Sequence, residues 1–167
     1  MNRTLLMMRH AKSSWSDGCL ADHDRPLNNR GLRDAPRMGR FLDSISLVPD
    51  AIISSTANRA LTTAKLLSEN CGGFNGELVE YEAFYHAPPS IYLERATLLD
   101  DSTSIVMFVG HNPGMAEVAS MVSENWETMP TAAIARVEFP VDSWVDVQSF
   151  SQATLVELWK PKEIDFE

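Results

Sequence analysis

The chain has 167 residues, 44% of them hydrophobic, and carries 23 Asp and Glu against 14 Lys and Arg for a net charge of −9. That size and composition fit one globular domain over 1–167 with a core of its own, and the acidic balance excludes a nucleic-acid-binding or anionic-membrane surface. Cys19 and Cys71 have neither CxxC spacing nor the density of a disulfide scaffold, so both read as ordinary buried or half-buried thiols in a reduced compartment.

The first element is the strand "TLLMM" (4–8), which runs straight into Arg9, His10 and Lys12. Its apolar stretch is shorter than the roughly 7 to 15 residues of a signal-peptide core, and no stretch approaches the roughly 20 apolar residues of a membrane helix. A soluble, cytoplasmic protein is expected. A helix follows over 30–45, where Pro36 and Gly39 predict a late start, a bend, or both. Next come a strand at "AIIS" (51–54) and a helix over 58–70, in which Leu61, Ala64, Leu66 and Leu67 form an apolar stripe. The Gly-rich "CGGFNGE" (71–77) reads as a connection, "ELVEY" (77–81) as a possible strand, and 89–99 as a helix. A strand at "IVMFVG" (105–110), a helix over 113–124, a weaker strand at "IARVEF" (134–139) and a strand at "ATLVELW" (153–159) complete the order, before an acidic, solvated "EIDFE" end. Short apolar strands alternating with helices predict an α/β fold. Helices should cover both faces of a mostly parallel sheet, giving a three-layer α/β/α domain.

Three predicted strand ends carry unusual polar groups. The first ends in Arg9-His10, the second leads through "SSTANRALTTA" (54–64) to Arg59 at a helix start, and "IVMFVGHNPG" (105–114) ends in His111. Ligands of open parallel sheets bind beyond the carboxyl ends of the strands, so two His and two Arg should share one rim. Asn112 as N-cap and Pro113 at the first helical position would turn free helix N–H groups toward that rim. Two forked guanidiniums match phosphate oxygens two at a time, which makes the rim a local tetrahedral-anion site in an acidic protein. A neutral imidazole is a competent nucleophile toward phosphorus, while a protonated one donates to the equatorial oxygens of the transition state. His10, central in the basic cluster, is assigned as nucleophile and His111 as phosphate donor.

The blocks "RHAKSSW" (9–15), "DHDRPLNNRG" (22–31), "SSTANRALTTA" (54–64) and "VGHNPG" (109–114) resemble the histidine phosphatase superfamily, most closely its small SixA-type phosphohistidine phosphatases. The resemblance implies a phosphoglycerate mutase-like fold and transient phosphorylation of His10. Arg9, Arg59 and His111 would bind the phosphate, with no metal or other cofactor, in accord with the lack of HxxxH or clustered Cys and His spacing. Lys12, Ser13 and Asn112 are possible substrate contacts. Arg25 and Arg30 read as loop-shaping residues paired with Asp22 or Asp24, and His23 and His86 as surface or loop histidines without a catalytic role. Trp15 would pack at the pocket mouth or meet a partner, whereas Trp126, Trp144 and Trp159 read as core or edge packing.

Larger members of the superfamily protonate a departing alkoxide with a carboxylic acid, worth roughly 100-fold or more. A departing imidazole carries its own proton, so that acid matters less. In "VEYEAFYHAPP" (79–89), Glu80 and Glu82 are the candidate acids, yet the run resembles the SixA-type segment, with Tyr85 as pocket wall. The expected function is therefore dephosphorylation of a phosphohistidine-containing protein, with inorganic phosphate as product. The alternatives are a small-molecule phosphomonoesterase of the same superfamily and a non-catalytic phosphate-binding module.

Overall fold

In the computed structural model, which describes residues 1–166, six strands form one sheet. They are β1 (Arg3–Arg9), β2 (Ala51–Ser54), β3 (Glu77–Glu80), β4 (Ile105–Gly110), β5 (Ile134–Phe139) and β6 (Thr154–Trp159). The helices between them are α1 (Asn29–Ser44), α2 (Asn58–Glu69), α3 (Pro89–Thr97) and α4 (Gly114–Ser123). Strand order is β3-β2-β4-β1-β5-β6. The β3-β2-β4-β1 block is parallel throughout, while β5 runs antiparallel to both β1 and β6.

β1 shows why the sheet needs two helical layers. Its side chains alternate between faces, and Leu5 to Met8 are all fully buried. Leu5 and Met7 join one core with Tyr92 of α3 and Val118 and Ala119 of α4. Leu6 and Met8 join the other, with Met38 and Leu42 of α1 and Ala64 and Leu67 of α2. Burying a side chain of this size is worth about 1.5–3 kcal/mol relative to exposure, so both faces of the central strand must be covered.

Several expectations are corrected. β6 is not a covered strand; it is one edge of the sheet, opposite β3, with Thr154, Val156 and Glu157 exposed. α1 does not start late: the Asn28 side chain accepts the Gly31 N–H at 3.0 Å, fixing the start ahead of Pro36, and the helix runs through that proline to Ser44. Its buried face of Ala35, Met38 and Leu42 holds it on the sheet. The apolar stripe of α2 is rotated, with Ala60, Ala64 and Leu67 buried beside Thr63 and with Leu61 and Leu66 only half-buried. Trp144 is a core residue whose indole N–H donates to the Thr103 carbonyl at 2.7 Å, and Trp159 packs edge-on against Phe41 at 5.4 Å. Trp126, expected to pack, is 90% exposed, because it lies on the loop after α4 and beyond both cores. Cys71 is buried, but Cys19 is exposed on the loop before Asp22. Among the described residues no helix is long and apolar enough to cross a membrane.

Candidate active site

The register of three neighbouring strands assembles the site. Arg9 pairs with Gly110, and Ser54 pairs with Val109, so His10, His111 and Ser55 follow at one carboxyl edge. Backbone bonds continue the ladder one step further: the His10 N–H donates to the Gly110 carbonyl at 3.0 Å and the Ser55 N–H to the Val109 carbonyl at 2.9 Å. The resulting pocket, about 210 Å³, is lined by Arg9, His10, Lys12, Ser13, Arg59, His111 and Asn112, which are the seven residues expected from sequence. It is also lined by Trp15, Asp22, Arg25, His86 and Thr131.

The two imidazoles face each other with ring centroids 5.2 Å apart. His10 Nδ1 lies 2.7 Å from the Ala11 carbonyl. A carbonyl only accepts, so the neutral ring carries its hydrogen on Nδ1 and leaves the Nε2 lone pair free. Burial, then the guanidiniums of Arg59, Arg9 and Arg25, push His10 down to about 3, against partial relief from the Ala11 bond. Burial, then the charge of His10, push His111 down to about 2. Both rings are therefore neutral at neutral pH. His111 Nε2 lies 2.8 Å from Ser55 Oγ, and its Nδ1 is buried without a partner among the described residues.

Asp22 is the residue that sequence reading underrated. Its side chain accepts from Arg25 at 3.1 Å, from Arg59 at 3.0 Å and from the Tyr85 hydroxyl at 2.5 Å, and its backbone carbonyl takes a second Arg59 bond at 2.7 Å. The Tyr85 bond first, then those from Arg59 and Arg25, hold the Asp22 carboxyl well below the usual carboxylate range. The expected Arg25–Asp22 pairing is present, and it places Arg25 in the pocket wall, where Nη2 donates to Ser13 Oγ at 2.5 Å. Arg30 instead reaches Thr131 Oγ1 at 3.3 Å. Trp15 sits at the mouth, with its ring 3.2 Å beneath the Arg25 guanidinium. His86, expected to stand apart, is in the pocket, its Nε2 3.3 Å from Asp22 Oδ2 and its ring 5.4 Å from that of His111. His23 does stand back, bonded to Thr56 Oγ1 at 2.9 Å.

The helix start after His111 is a second correction. Pro113 is the N-cap and α4 begins at Gly114. The Met115 N–H donates to the His111 carbonyl at 3.0 Å and the Ala116 N–H to Asn112 Oδ1 at 3.2 Å. These two amides are spent inside the turn, while Arg9, Lys12, Arg25 and Arg59 line the pocket with positive charge. The Asn112 amide nitrogen is used as well, donating to the Met129 carbonyl at 2.9 Å.

On the other flank, α1 presses against the loop after His10. A Cβ on Gly31 would stand 2.3 Å from the Lys12 carbonyl oxygen, so only glycine permits that approach. Among the described residues Asp22 is the single carboxylate lining the pocket, and neither Glu80 nor Glu82 reaches the pocket wall. Among the described residues no group of three or more His, Cys, Asp or Glu is placed to hold a metal ion.

The family model of the histidine phosphatase superfamily (branch 1) matches residues 5–84, which include His10 and Arg59. An uncharacterized chloroplast protein of Arabidopsis thaliana is 34% identical over 167 residues, covering 90% of this chain and 73% of that protein. An uncharacterized Mycobacterium tuberculosis protein is 34% identical over 155 residues, covering 84% and 92%. The chain belongs to the histidine phosphatase superfamily. Its fold is the phosphoglycerate mutase-like α/β fold of its structural neighbours. A SixA structure from Agrobacterium tumefaciens superposes with a TM-score of 0.80 at 25% identity, covering 95% of this chain and 98% of that one. The protein histidine phosphatase SixA solved with tungstate superposes with a TM-score of 0.80 at 17% identity, covering 95% and 97%. A mycobacterial glucosyl-3-phosphoglycerate phosphatase shares the fold less closely, with a TM-score of 0.65 at 16% identity, covering 93% and 98%.

Proposed function

We propose that this member of the superfamily is a metal-independent phosphohistidine phosphatase that works through a phospho-His10 intermediate. His10 Nε2 attacks phosphorus in line while Arg9, Arg25 and Arg59 hold the phosphoryl oxygens. The P–N bond of the substrate breaks with its electron pair going to the ring nitrogen, and the substrate imidazole, already protonated on its other nitrogen, departs as a neutral ring. Water then attacks phospho-His10, releasing inorganic phosphate and restoring the neutral ring. His111 supports the same oxygens: the negative charge of the phosphoryl group offsets the burial and like-charge effects that hold the His111 value down, and its Nδ1 supplies the donor.

The observation that carries phosphohistidine over an ordinary ester is the ionised state of Asp22. Among the described residues it is the lone carboxylate lining the pocket, and three donors hold it charged. A charged carboxylate cannot protonate an alkoxide, whereas an imidazole leaving group does not need it. The SixA neighbours support the same reading. A panel of a phosphohistidine peptide, a sugar phosphate and p-nitrophenyl phosphate tests it. The expected order of kcat/KM puts the phosphohistidine peptide first and the sugar phosphate last; faster turnover of the sugar phosphate overturns the reading.

One observation favours a second reading, a small-molecule phosphomonoesterase. His86 lies in the pocket with Nε2 3.3 Å from Asp22 Oδ2, an imidazole that offers a donor to an ester oxygen. Under that reading His86→Gln abolishes ester turnover; under the first it leaves phosphohistidine turnover within a few-fold of the parent.

A further inference from the structure

We propose that the cleft beside the catalytic pocket docks an acidic stretch of the phosphorylated protein substrate, an inference that rests on the phosphohistidine reading and extends it. The cleft encloses about 610 Å³ and shares Arg9, Lys12 and Thr131 with the pocket, so a chain seated in it leads directly to His10. Its remaining cations are Arg30, Arg33, Arg37, Lys160 and Lys162. With Arg9 and Lys12, seven of the 14 Lys and Arg of a chain with net charge −9 line this one surface, against the two carboxylates of Asp34 and Glu163 among the described residues. A local field opposite in sign to the whole molecule marks the kind of partner it attracts.

The layout points to an extended acidic segment. Arg30, Arg33 and Arg37 are spaced by three and four residues on α1, which puts them on one helix face. Seven residues at 1.5 Å rise stretch that face over about 10 Å. Lys160 and Lys162 form the opposite wall from the segment that follows β6. Charges spread along two walls match a series of carboxylates on a polypeptide, whereas a compact polyphosphate calls for donors converging on one point. Of these five cations, among the described residues, only Arg33 has a carboxylate within ion-pair distance, Asp34 at 3.1 Å. Arg37 lies over the Phe166 ring at 5.3 Å, which fixes its side chain without neutralising it.

Two peptides carrying a single phosphohistidine test the proposal, one flanked by a run of glutamates and one with glutamines in their place. The enzymes are the full chain and its Arg33→Gln/Arg37→Gln/Lys160→Gln/Lys162→Gln variant, with Arg33→Gln/Arg37→Gln as a milder second variant should the first fail to fold. The parent should prefer the glutamate peptide by about tenfold in kcat/KM, with the preference shrinking as ionic strength rises. The variants should lose the preference while keeping turnover of the glutamine peptide and of p-nitrophenyl phosphate. Equal use of both peptides by the parent overturns the proposal, as does an equal loss on p-nitrophenyl phosphate in the variants. Displacement by tripolyphosphate with no peptide preference also overturns it. Turnover of p-nitrophenyl phosphate with neither peptide dephosphorylated would be a failure of the phosphohistidine reading alone. In that event, anisotropy with the unphosphorylated glutamate peptide decides the cleft: binding lost in the variants supports it, and no binding to the parent overturns it.

Discussion

Ser55 Oγ lies 2.8 Å from His111 Nε2 and also accepts the Ala57 N–H at 3.2 Å. With that acceptance made, the serine hydrogen is free to point at Nε2, which puts the imidazole hydrogen on Nδ1, the atom left without a partner. Ser55 is thus a positioning residue for His111. Ser55→Ala should lower kcat for phosphohistidine peptide by about tenfold, or ~1.4 kcal/mol of barrier, with KM changed much less and with Ser55→Thr restoring most of the rate. Unaltered kcat in Ser55→Ala would contradict the assignment.

Asp22 and Arg59 make a second such pair, joined through both the side chain and the backbone carbonyl of Asp22. Asp22→Asn removes the negative charge from a pocket of guanidiniums and keeps only one acceptor oxygen, turning the other into an NH2 donor that faces Arg25, or Arg59 and Tyr85. Inorganic phosphate should then inhibit more strongly, while kcat falls several-fold as Arg25 and Arg59 lose their fixed geometry. Steady-state kinetics with phosphate as inhibitor reads both effects. Were Asp22 instead a general acid, the same change would abolish ester turnover and leave phosphate inhibition unmoved.

Gly31 and Gly39 separate packing from function on one helix. A Cβ at either would stand 2.3 Å from a backbone carbonyl oxygen, that of Lys12 for Gly31 and of Leu67 for Gly39. Each Ala substitution should destabilise by about 1–3 kcal/mol, read from urea unfolding. Only Gly31→Ala should also lower kcat/KM, because the loop it displaces follows His10.

The strands β1, β2 and β4 were legible because each is a short apolar run, and the main helices because each has a periodic face; even the weak candidates 77–81 and 134–139 fall on β3 and β5. His10, His111 and Arg59 were legible because a parallel sheet collects strand ends at one edge. Asp22 and His86 were not. Their importance comes from contacts 37 and 64 residues apart in sequence, Asp22 with Arg59 and with His86, and no spacing rule encodes a loop folding back over a sheet. The exposure of Trp126 and the edge position of β6 escaped for a related reason: an apolar side chain does not say whether a neighbour arrives to cover it. The helix-start reading of "GHNPG" is narrowed, since the His111 carbonyl and Asn112 Oδ1 take the Met115 and Ala116 amides.

The depressed imidazoles bear on stability. His10, pushed to about 3, and His111, pushed to about 2, titrate near 6.5 once unfolding exposes them. Below pH 6.5 the unfolded chain therefore binds more protons than the folded one, and stability falls as pH drops toward 3. Each ring contributes a slope of at most about 1.4 kcal/mol per pH unit. Urea unfolding between pH 6.5 and 4 should show this loss in the parent and a flatter dependence in His10→Asn/His111→Asn. Equal slopes would contradict neutral, buried rings.

The central claim is that His10 carries phosphate during turnover. Rapid acid-free quenching of the enzyme with radiolabelled phosphohistidine peptide, followed by proteolysis under alkaline conditions and mass analysis, locates the label. The account predicts one alkali-stable, acid-labile phosphate on His10 in the parent and none in His10→Ala. Undiminished labelling in His10→Ala, or turnover with label on another residue, would contradict it.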